Sequence, residues 1–511
     1  MAAATNAAAA PNRLAITLCV GLATIMQALD TTIANVSLPY IQGSMGVNLD
    51  EVNWVLTSYI VAAAIMTPPT GFLAGRFGRK RMFLVTIVGF MIASMLCGMA
   101  GSIGEIVVFR LLQGAFGAGL VPLSQAVLLD TYPREQHGRA MAYWGMAVMI
   151  GPILGPVLGG WLTENVSWRW DFYINLPIGI LAFIGMTIFL PETKRIESKL
   201  DWFGFAALSI ATGALQLVLD RGEELNWFAS GEIIIEAIVA AGAFWLFLVH
   251  TFTVRDPFIK PALFRDRNFT AGILFGTIIG VILLAPLSLL PPYMQNLMNY
   301  PVFTSGIAMA PRGVGTMLAM IVVGRLIGRV DVRLLLAAGL GLTAWALYDM
   351  TLWTPAVSMT TVMVNGIIQG AGLGFLFVPL STVTFSTLPQ QQRTEGTGIY
   401  TYTRNIGSSV GISIVQAVLV NETQINHATI GQYVTPFNRL FEHGAAAHFL
   451  SPYTQAGRAL LDATVSQQAL IIAYLDDFKL MMIVGLLALP LLLLFRRPSK
   501  GGTEPGLPGL D

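Results

Sequence analysis

The amino-acid sequence predicts an all-α protein that crosses a membrane many times, and three observations carry this prediction. First, 55% of the 511 residues are hydrophobic and only 11% are charged, with a mean hydropathy of +0.67, whereas about a quarter of the residues in a soluble domain are charged. Second, apolar windows of about 20 residues, the length that a helix needs to cross a bilayer, recur along the chain. Third, these windows are far longer than the strands of a membrane barrel, which have about ten residues.

Fourteen such windows follow one another, and each predicts one spanning helix. Residues 14–190 hold the first six, residues 202–253 the next two, and residues 268–495 the last six. The individual windows are 14–39, 52–74, 82–101, 104–130, 139–163, 172–190, 202–220, 231–253, 268–292, 304–325, 333–353, 357–386, 395–420 and 478–495.

Positive charge indicates the orientation of these helices. Most of the 29 Lys and Arg residues fall in loops on one side, including the run Arg79-Lys80-Arg81, and loops rich in positive charge stay in the cytoplasm. We therefore expect both termini in the cytoplasm, a long periplasmic loop at 421–476 and a cytoplasmic tail at 497–511. The net charge of +1 provides no basic surface for nucleic acid.

Short sequences recur in the same order in the two halves, and they predict two like-oriented six-helix bundles joined by two inserted linker helices. Weak internal symmetry of this kind is typical of secondary transporters, whose halves move around a site near the membrane midplane. The matching pairs are Gln113-Gly114-Ala115 with Gln369-Gly370-Ala371, Val121-Pro122-Leu123-Ser124 with Val378-Pro379-Leu380-Ser381, and Gly71 to Arg76 with Gly324 to Arg329.

Asp30 is the clearest candidate for chemistry, because an ionisable group inside a span costs about 2.5 to 3.5 kcal/mol even on the lenient insertion scale. It lies deep in the first span beside Gln27, Thr31, Thr32 and Asn35, a polar stripe that could face a watery cavity. Burial favours the protonated form of a carboxyl, which would let Asp30 gain and lose a proton as the cavity alternates between the two sides. The alternative is a permanently hydrogen-bonded structural carboxylate.

Arg110 in the fourth span is the expected electrostatic partner of Asp30. A fixed positive charge favours the ionised form of a neighbouring acid, so the approach or withdrawal of Arg110 could drive proton release. The alternative is an arginine that snorkels to the interface or bridges two helices. Asp30 and Arg110 are thus the predicted proton-coupling residues.

Two further arginines, Arg312 and Arg404, lie within spans of the second half. Each could bind an anionic group or form a structural ion pair. With polar and aromatic residues of both halves they make up the predicted substrate cavity, although a single aromatic residue in a membrane helix is more often packed or lipid-facing. The cavity candidates are Gln27, Asn35, Tyr59, Gln113, Trp144, Arg312, Gln369 and Arg404.

Residues of the cytoplasmic face and of span five are candidates for conformational gating. Ion pairs at the cytoplasmic face could latch the closed state. Glycines in span five permit close helix approach, and its prolines bend the helix. The gating candidates are Gly71, Gly75, Arg76, Arg79, Asp130, Gly151, Pro152, Gly155, Pro156 and Gly159.

Enzyme signatures are missing from the sequence. It contains no His-Glu-x-x-His, P-loop or Gly-x-Ser-x-Gly motif, and its two cysteines, Cys19 and Cys97, give neither a disulfide framework nor a metal cluster. We therefore expect no cofactor and no metal, and energy from an ion gradient rather than from bound ATP. A membrane enzyme would need a clustered nucleophile and base, and a sensor an appended soluble domain.

Four segments resemble the motifs of a known family. Leu29 to Pro39 resembles its first-helix motif, and the other three are Gly71 to Arg81 for the loop between helices two and three, Arg110 to Gly114 for the helix-four motif associated with proton transfer, and Gly151 to Gly160 for the antiporter motif of helix five. The sequence is thereby identified as a member of the major facilitator superfamily, in the fourteen-helix drug:H⁺ antiporter type of the EmrB/QacA group. Residues 219–228 and 264–269 make it most similar to EmrB-type exporters.

This resemblance implies proton-driven export of hydrophobic toxic compounds across a bacterial inner membrane, and hence antibiotic resistance. It also implies two partners, an EmrA-like periplasmic membrane-fusion adaptor and a TolC-like outer-membrane channel. The loop motif departs from the family at Gly75, where an Asp is usual, so Asp130 is the expected anionic partner at the cytoplasmic face. A milder departure is Ala142, where a Gly is usual. The alternative function is a dedicated exporter of an anionic metabolite, such as a fatty acid or siderophore, held by Arg312 and Arg404.

Overall fold

A computed structural model describes residues 12–193, 201–435, 450–451 and 453–495. Over these ranges the chain is almost entirely helical, and its only β-type pairing is an isolated bridge between Ile327 and Val330. The all-α prediction is confirmed. The predicted tail 497–511 lies outside the described residues.

The described helices are numbered in chain order. They are α1 (Arg13–Met45), α2 (Leu49–Met66), α3 (Thr70–Phe77), α4 (Arg79–Met99), α5 (Ile103–Gly117), α6 (Leu120–Thr131), α7 (His137–Asn165), α8 (Trp170–Tyr173), α9 (Asn175–Phe189), α10 (Trp202–Arg221), α11 (Gly231–Thr253), α12 (Arg267–Pro292), α13 (Val302–Leu326), α14 (Val332–Met350), α15 (Met359–Ser386), α16 (Arg393–Gly431) and α17 (Gln455–Leu487). A π-helical turn, Tyr293–Leu297, continues α12, and a 3₁₀ turn, Leu489–Leu494, follows α17.

Polar residues begin many of these helices. Asn48 caps α2 in a capping box, because its side chain accepts a hydrogen bond from the Glu51 N–H while the Glu51 carboxylate accepts one from the Asn48 N–H. Ser102, Asp266 and Ser358 cap α5, α12 and α15, each accepting one bond from the first turn. These caps satisfy N–H groups for which lipid offers no acceptor.

Twelve helices of the described chain are long and apolar enough to cross a bilayer, and thirteen are if α2 and α3 count as one span. These two helices meet at a bend of 57°, where Pro68 and Pro69 interrupt the predicted span 52–74. The predicted span 395–420 corresponds to α16, which is absent from this set. Its mean hydropathy is too low for this set, because part of its buried surface is made of hydroxyl groups, such as those of Thr397 and Thr401.

Helices α1 to α9 pack mainly with one another, as do α12 to α17, and α7 of the first bundle packs against α13 of the second. Small residues allow this close approach. A Cβ atom on Gly145 would lie 2.6 Å from Met320 Sδ, and one on Gly313 would lie 2.0 Å from Ile153 Cγ1. Glycines at these positions therefore allow α7 and α13 to pack closely.

The inserted helices α10 and α11 pack against each other, and α10 also packs against α2. Thr57 of α2 donates a hydrogen bond to the Asp220 carboxylate at one end of α10. At the other end, Asp201 is hydrogen-bonded to His250 and accepts a bond from the Phe258 N–H. Burial alone would raise the pKa of Asp201, but its hydrogen bonds lower that pKa below the usual value. The linker pair is thereby anchored at both ends.

Helices α16 and α17 are longer than a bilayer requires. They have 39 and 33 residues, whereas about 20 suffice to cross the hydrocarbon. The predicted loop 421–476 therefore begins and ends in helix, and within it residues 436–449 and 452 lie outside the described residues. We call the end of the bundles that carries Arg79 and Arg393 the basic end. The opposite end, which carries the end of α16 and the start of α17, is called the far end.

Candidate functional site

A charged cluster is buried inside the first bundle. The Asp30 carboxylate on α1 accepts hydrogen bonds from Arg110 Nη1 at 2.7 Å, from Gln113 Nε2 at 2.7 Å and from Asn175 Nδ2 at 2.8 Å. Each of these four side chains belongs to a residue that is at most 1% exposed. We call the four residues the Asp30 cluster, which joins α1, α5 and α9.

Further contacts hold the guanidinium of Arg110 in place. Its Nε donates to the Val55 carbonyl at 3.0 Å, and its Nη1 also donates to Gln113 Oε1 at 2.8 Å. The guanidinium carbon lies 4.2 Å from the centre of the Tyr59 ring, a cation–π contact. These contacts use the planar fork of donors that arginine has and lysine lacks. A lysine at this position could therefore not make the same set of contacts.

Close helix packing brings the cluster together. A Cβ atom on Gly114 would lie 2.3 Å from the Tyr59 carbonyl oxygen, so a glycine at this position lets α5 approach α2. The same glycine follows Gln113, whose amide therefore reaches Asp30 from the helix that also carries Arg110. The sequence motif Arg110 to Gly114 thus supplies both the donors and the packing.

Helix α7, which corresponds to the predicted span five, packs against α1, the helix that carries Asp30. The Gly151 carbonyl of α7 accepts a hydrogen bond from Thr32 Oγ1 at 3.1 Å. A Cβ atom on Gly155 would lie 2.0 Å from the same Thr32 oxygen, so this position requires glycine. The remaining gating candidates of this helix, all within α7, are Pro152, Pro156 and Gly159.

The predicted polar stripe on α1 does not include Asp30, which corrects the expectation from the sequence. Gln27, Thr31 and Asn35 are four residues apart and share a face that is partly or fully exposed, as helical periodicity requires. Asp30 lies on the neighbouring, buried face. Gln27 Nε2 donates to Tyr59 Oη at 3.3 Å, so Tyr59 connects the exposed stripe with the Asp30 cluster.

Tyr59 and Gln113 do not line an open cavity in this conformation, in contrast to the prediction from the sequence. Gln113 is 0% exposed and Tyr59 is 3% exposed. Gln113 is buried because it lies one turn after Arg110 on α5, so its amide meets the same carboxylate. Both residues belong to the surroundings of Asp30.

At the basic end, Asp130 of α6 joins the two bundles. Its carboxylate is paired with Arg79 of α4 and, at 3.1 Å, with Arg393 Nη1 at the start of α16. Arg393 also donates to the Leu129 carbonyl at 3.0 Å. We call Arg79, Asp130 and Arg393 the basic-end latch. Asp130 is the anionic partner here, at the end where Gly75 replaces the usual Asp.

Gly71 allows the bundles to close at the basic end. A Cβ atom on Gly71 would lie 2.6 Å from the Glu395 Cα atom, so the backbones of α3 and α16 are in direct contact. Thr397 of α16 donates to a backbone carbonyl of α6 at 3.1 Å. Gly75 and Arg76, further along α3, lie on its partly or fully exposed side. This conformation is therefore closed at the basic end.

Trp144 of α7 and Arg404 of α16 meet at Phe377 of α15. The Trp144 and Phe377 rings stack with centroids 5.3 Å apart, and the Arg404 guanidinium carbon lies 5.4 Å from the Phe377 centroid. Trp144 Nε1 and Arg404 Nη1 are buried and have no hydrogen-bond partner in the described part of the chain. These donors lie at the junction of the bundles, where they could bind an acceptor group of a substrate.

Gln369 and Arg312 are also buried in the second bundle. Gln369 is 1% exposed, and neither its side-chain oxygen nor its nitrogen has a hydrogen-bond partner among the described residues. Arg312 is 6% exposed. A Cβ atom on Gly370 would lie 1.9 Å from the Arg312 carbonyl oxygen, so α13 and α15 touch through their backbones beside Gln369.

The sequence alone does not single out Asn175, Arg393 or Asp171. An amide inside a predicted span is the signal that could have found Asn175. Arg393 is the one basic residue of the predicted loop 387–394, but no motif in the sequence marks it as a partner of Asp130. Asp171 is 2% exposed and accepts hydrogen bonds from Ser37 and, at 2.7 Å, from Thr163, a second buried acid outside the Asp30 cluster.

The geometry of the Asp30 cluster suits a group that changes its charge. The carboxylate accepts three hydrogen bonds, and one of the donors is the charged guanidinium of Arg110. Among the described residues there is no group of His, Cys, Asp and Glu that could hold a metal ion. Proton exchange and electrostatic switching are the chemistry that these residues offer.

Comparison with known proteins agrees with this architecture. The sequence profile of the Major Facilitator Superfamily matches residues 20–412. The chain belongs to the major facilitator superfamily. It is therefore a transporter and a multi-pass membrane protein.

Relatives within the superfamily show to which group of its members the chain belongs. The chain is 37% identical to the multidrug export protein EmrB of Escherichia coli K12 over 83% of each chain. It is 35% identical to EmrB of Haemophilus influenzae over 95% of this chain and 96% of that protein. It is also 35% identical to the fatty acid resistance protein FarB of Neisseria gonorrhoeae, over 95% of this chain and 97% of that protein. These identities place the chain in the EmrB-type group.

Solved structures share the fold. The human organic anion transporter MFSD10 has a TM-score of 0.60 at 15% identity, with 94% of this chain and 100% of that chain covered. The proton:xylose symporter XylE has a TM-score of 0.58 at 13% identity, with 92% and 96% covered. The two-bundle architecture is thus common to proteins with very different sequences.

Proposed function

We propose that this protein is a proton-driven antiporter that exports hydrophobic toxic compounds. The Asp30 cluster carries the proposal, because a buried acid and its arginine are the parts that proton coupling needs. The EmrB relatives, which are multidrug export proteins by name, support the same function. The energy source is a proton gradient, so transport is secondary active.

The proposed mechanism couples the charge of Asp30 to the position of Arg110. In the conformation described here, the ionised carboxylate holds the guanidinium, and the basic end is closed. A proton that reaches Asp30 from the far end neutralises the carboxylate, so its attraction for Arg110 falls. The released guanidinium loosens the contact between α1 and α5, and the basic end opens. Proton release on that side then restores the ion pair.

The proposed orientation places the basic end in the cytoplasm of a bacterium, with both termini inside and the far end in the periplasm. The positive charge of the basic end supports this assignment. The end of α16 and the start of α17 lie at the far end, on the side where a membrane-fusion adaptor would bind. We therefore propose an EmrA-like adaptor and a TolC-like channel as partners of this inner-membrane protein.

The proposal is tested by replacing Asp30 in inverted membrane vesicles. Asp30→Asn keeps the size of the side chain but cannot release a proton, so we expect substrate transport driven by a pH gradient to be abolished. The matched control is Asp171→Asn, a buried acid of the same bundle outside the cluster, which should retain most transport. Protein levels in the membrane are measured for both variants. Undiminished gradient-driven transport by Asp30→Asn would refute the proton role.

A second candidate function is the export of a hydrophobic anion. The buried donors of Arg404 and Trp144 favour it, and so does the similarity to FarB, a fatty acid resistance protein by name. Transport of long-chain fatty acids and of lipophilic cations by the same vesicles separates the two functions. Arg404→Ala should reduce transport of the anions far more than that of the cations. Transport of fatty acids alone would identify a dedicated exporter.

A further inference from the structure

A buried acid in the second bundle has no role in the Asp30 cluster. Asp477 of α17 is 0% exposed, and neither of its carboxylate oxygens has a hydrogen-bond partner among the described residues. Asp30 is equally buried but accepts three hydrogen bonds. A buried ionised carboxylate that lacks a donor is strongly unfavourable, and such groups neutralise instead. The surroundings of Asp477 therefore fit a protonated acid, whereas those of Asp30 fit a carboxylate.

Aromatic rings pack on the face of α17 beside Asp477. Tyr474 lies one turn before it and Phe478 follows it. The Tyr293 ring lies 5.3 Å from the Tyr474 ring and 6.2 Å from the Phe478 ring, and Trp353 lies 6.4 Å from Phe478, between centroids. The Tyr293 hydroxyl is also buried without a hydrogen-bond partner in the described part of the chain. Asp477 and these four aromatic residues are all at most 3% exposed in this conformation.

Two negatively charged side chains act on Asp477. Glu422 of α16 and Asp476 of α17 lie within electrostatic reach of it, and repulsion between like charges adds to the cost of ionising it. Both residues are partly exposed. The other titratable groups near it on the packed helices are Tyr293 at the end of α12, Tyr474 and the exposed Lys479 of α17, and Asp349 of α14, whose carboxylate is hydrogen-bonded to Asn365 and Trp353.

We propose that Asp477 is a second proton-binding site, at the far end of the second bundle, and that it holds its proton in the conformation closed at the basic end. This inference rests on the proposed function, in which protons arrive from the far end. Glu422 and Asp476 form the polar path by which the proton reaches and leaves Asp477. The two bundles thus hold complementary acids, one ionised and paired, the other protonated and unpaired.

Infrared difference spectroscopy of the purified full-length protein in lipid tests this inference. At neutral pH, wild-type protein should show the carbonyl stretch of a protonated carboxyl group, and that band should titrate away as the pH is raised. Asp477→Asn should lose the band. The matched control Asp476→Asn changes the neighbouring, partly exposed acid and should keep it, as should Asp30→Asn. Asp477→Glu should shift the band, which keeps the test valid if the Asn variant is unstable.

Two results would overturn the inference. One is a protonated-carboxyl spectrum that Asp477→Asn and Asp477→Glu leave unchanged. The other is a band that belongs to Asp477 but persists at every pH at which the protein stays folded, because it marks a permanently protonated structural acid. Gradient-driven transport is measured on the same preparations. Its absence from wild-type protein would refute the proposed function, whereas normal transport without the titrating band would refute only the role of Asp477.

Discussion

Gln113 and Gln369 occupy corresponding positions in the two bundles, yet their surroundings differ. Gln113 donates to Asp30 and accepts from Arg110, whereas both polar atoms of Gln369 lack a hydrogen-bond partner among the described residues. The position that corresponds to Arg110 is Gly366. The repeat has therefore kept the glutamine in both bundles and the ion pair in only one.

This difference suggests a division of labour between the bundles. The first bundle holds an acid that is paired with an arginine inside the same bundle, which suits a switch driven by a proton. The second bundle holds Arg404 at the bundle junction, and this arginine belongs to none of the ion pairs found among the described residues. Such a cation is available to a ligand. We therefore expect substitutions in the first bundle to affect coupling and those in the second to affect substrate choice.

The largest effect should come from comparing Arg110→Ala with Arg404→Ala. Removal of Arg110 leaves the buried Asp30 charge without its partner, and breaking a buried pair in this way costs about 3 to 5 kcal/mol. Gradient-driven transport should fall by at least about 100-fold, as 1.4 kcal/mol corresponds to tenfold. Arg404→Ala leaves no carboxylate unpaired, so its effect should be smaller and depend on the substrate. Initial rates in inverted vesicles provide the measurement.

Equal losses for the two arginines with every substrate would contradict the division of labour. Arg110→Lys gives a further check, because it keeps the charge but not the fork of donors. This variant should remain strongly impaired. Arg76→Ala, on the exposed side of α3, should reduce drug binding less than Arg110→Ala reduces coupling.

The next effect concerns the backbone contact between the bundles at Gly71. Gly71→Ala places a methyl group 2.6 Å from the Glu395 Cα atom, so the basic end cannot close as it does here. Transport should fall by roughly tenfold or more, since overpacking typically costs about 1 to 3 kcal/mol. Gly104→Ala is the matched control, because nothing lies within 4 Å of its added Cβ atom. Wild-type rates for Gly71→Ala would show that this contact is dispensable.

A moderate effect is expected from the basic-end latch. Asp130→Asn weakens two ion pairs at once, while Arg393→Gln removes the ion pair that crosses between the bundles together with the bond from Arg393 to the Leu129 carbonyl. Both should shift the population toward the conformation open at the basic end, by about tenfold if roughly 1.4 kcal/mol is lost. Distances between spin labels on the basic ends of α3 and α16 measure this shift. An unchanged distance distribution in both variants would exclude the latch as a determinant of closure.

The last comparison concerns the two repeated glutamines themselves, and its expected effect is on stability. Gln113→Ala removes a donor to a buried carboxylate and should lower stability by about 1 to 3 kcal/mol. Gln369→Ala leaves no partner unsatisfied, so its effect on stability should be smaller. Thermal unfolding in detergent compares the two variants directly. A larger loss for Gln369→Ala would mean that its amide has an essential partner in another conformation.

Much of the fold could be predicted from the sequence, because membrane helices are long, continuous and apolar. The expected pairing of Asp30 with Arg110 agrees with the structure, since charges inside spans have few possible partners. Hydropathy was less informative for α16, where hydroxyl groups such as that of Thr397 face protein rather than lipid. A window average cannot separate the two faces of a helix.

The partners within the site could not be predicted because they come from distant parts of the chain. Asn175 and Arg393 join their clusters through tertiary contacts, and neither has a local motif. The grouping of Asp30 with Gln27 and Asn35 was wrong for the same reason, because proximity in sequence does not reveal which face of α1 meets α5. Asp477 lies at the edge of the predicted last span, where an acid looks ordinary until its burial is known.

Proton exchange at Asp30 is tested most directly by counting protons when substrate binds. Purified protein in a weakly buffered, mildly acidic solution is mixed with substrate, and the released protons are measured with a pH-sensitive dye. Wild-type protein should release protons on binding, and Asp30→Asn should release one fewer per chain while still binding substrate. Equal release by both proteins would contradict the assignment of Asp30 as the group that exchanges a proton for the exported compound.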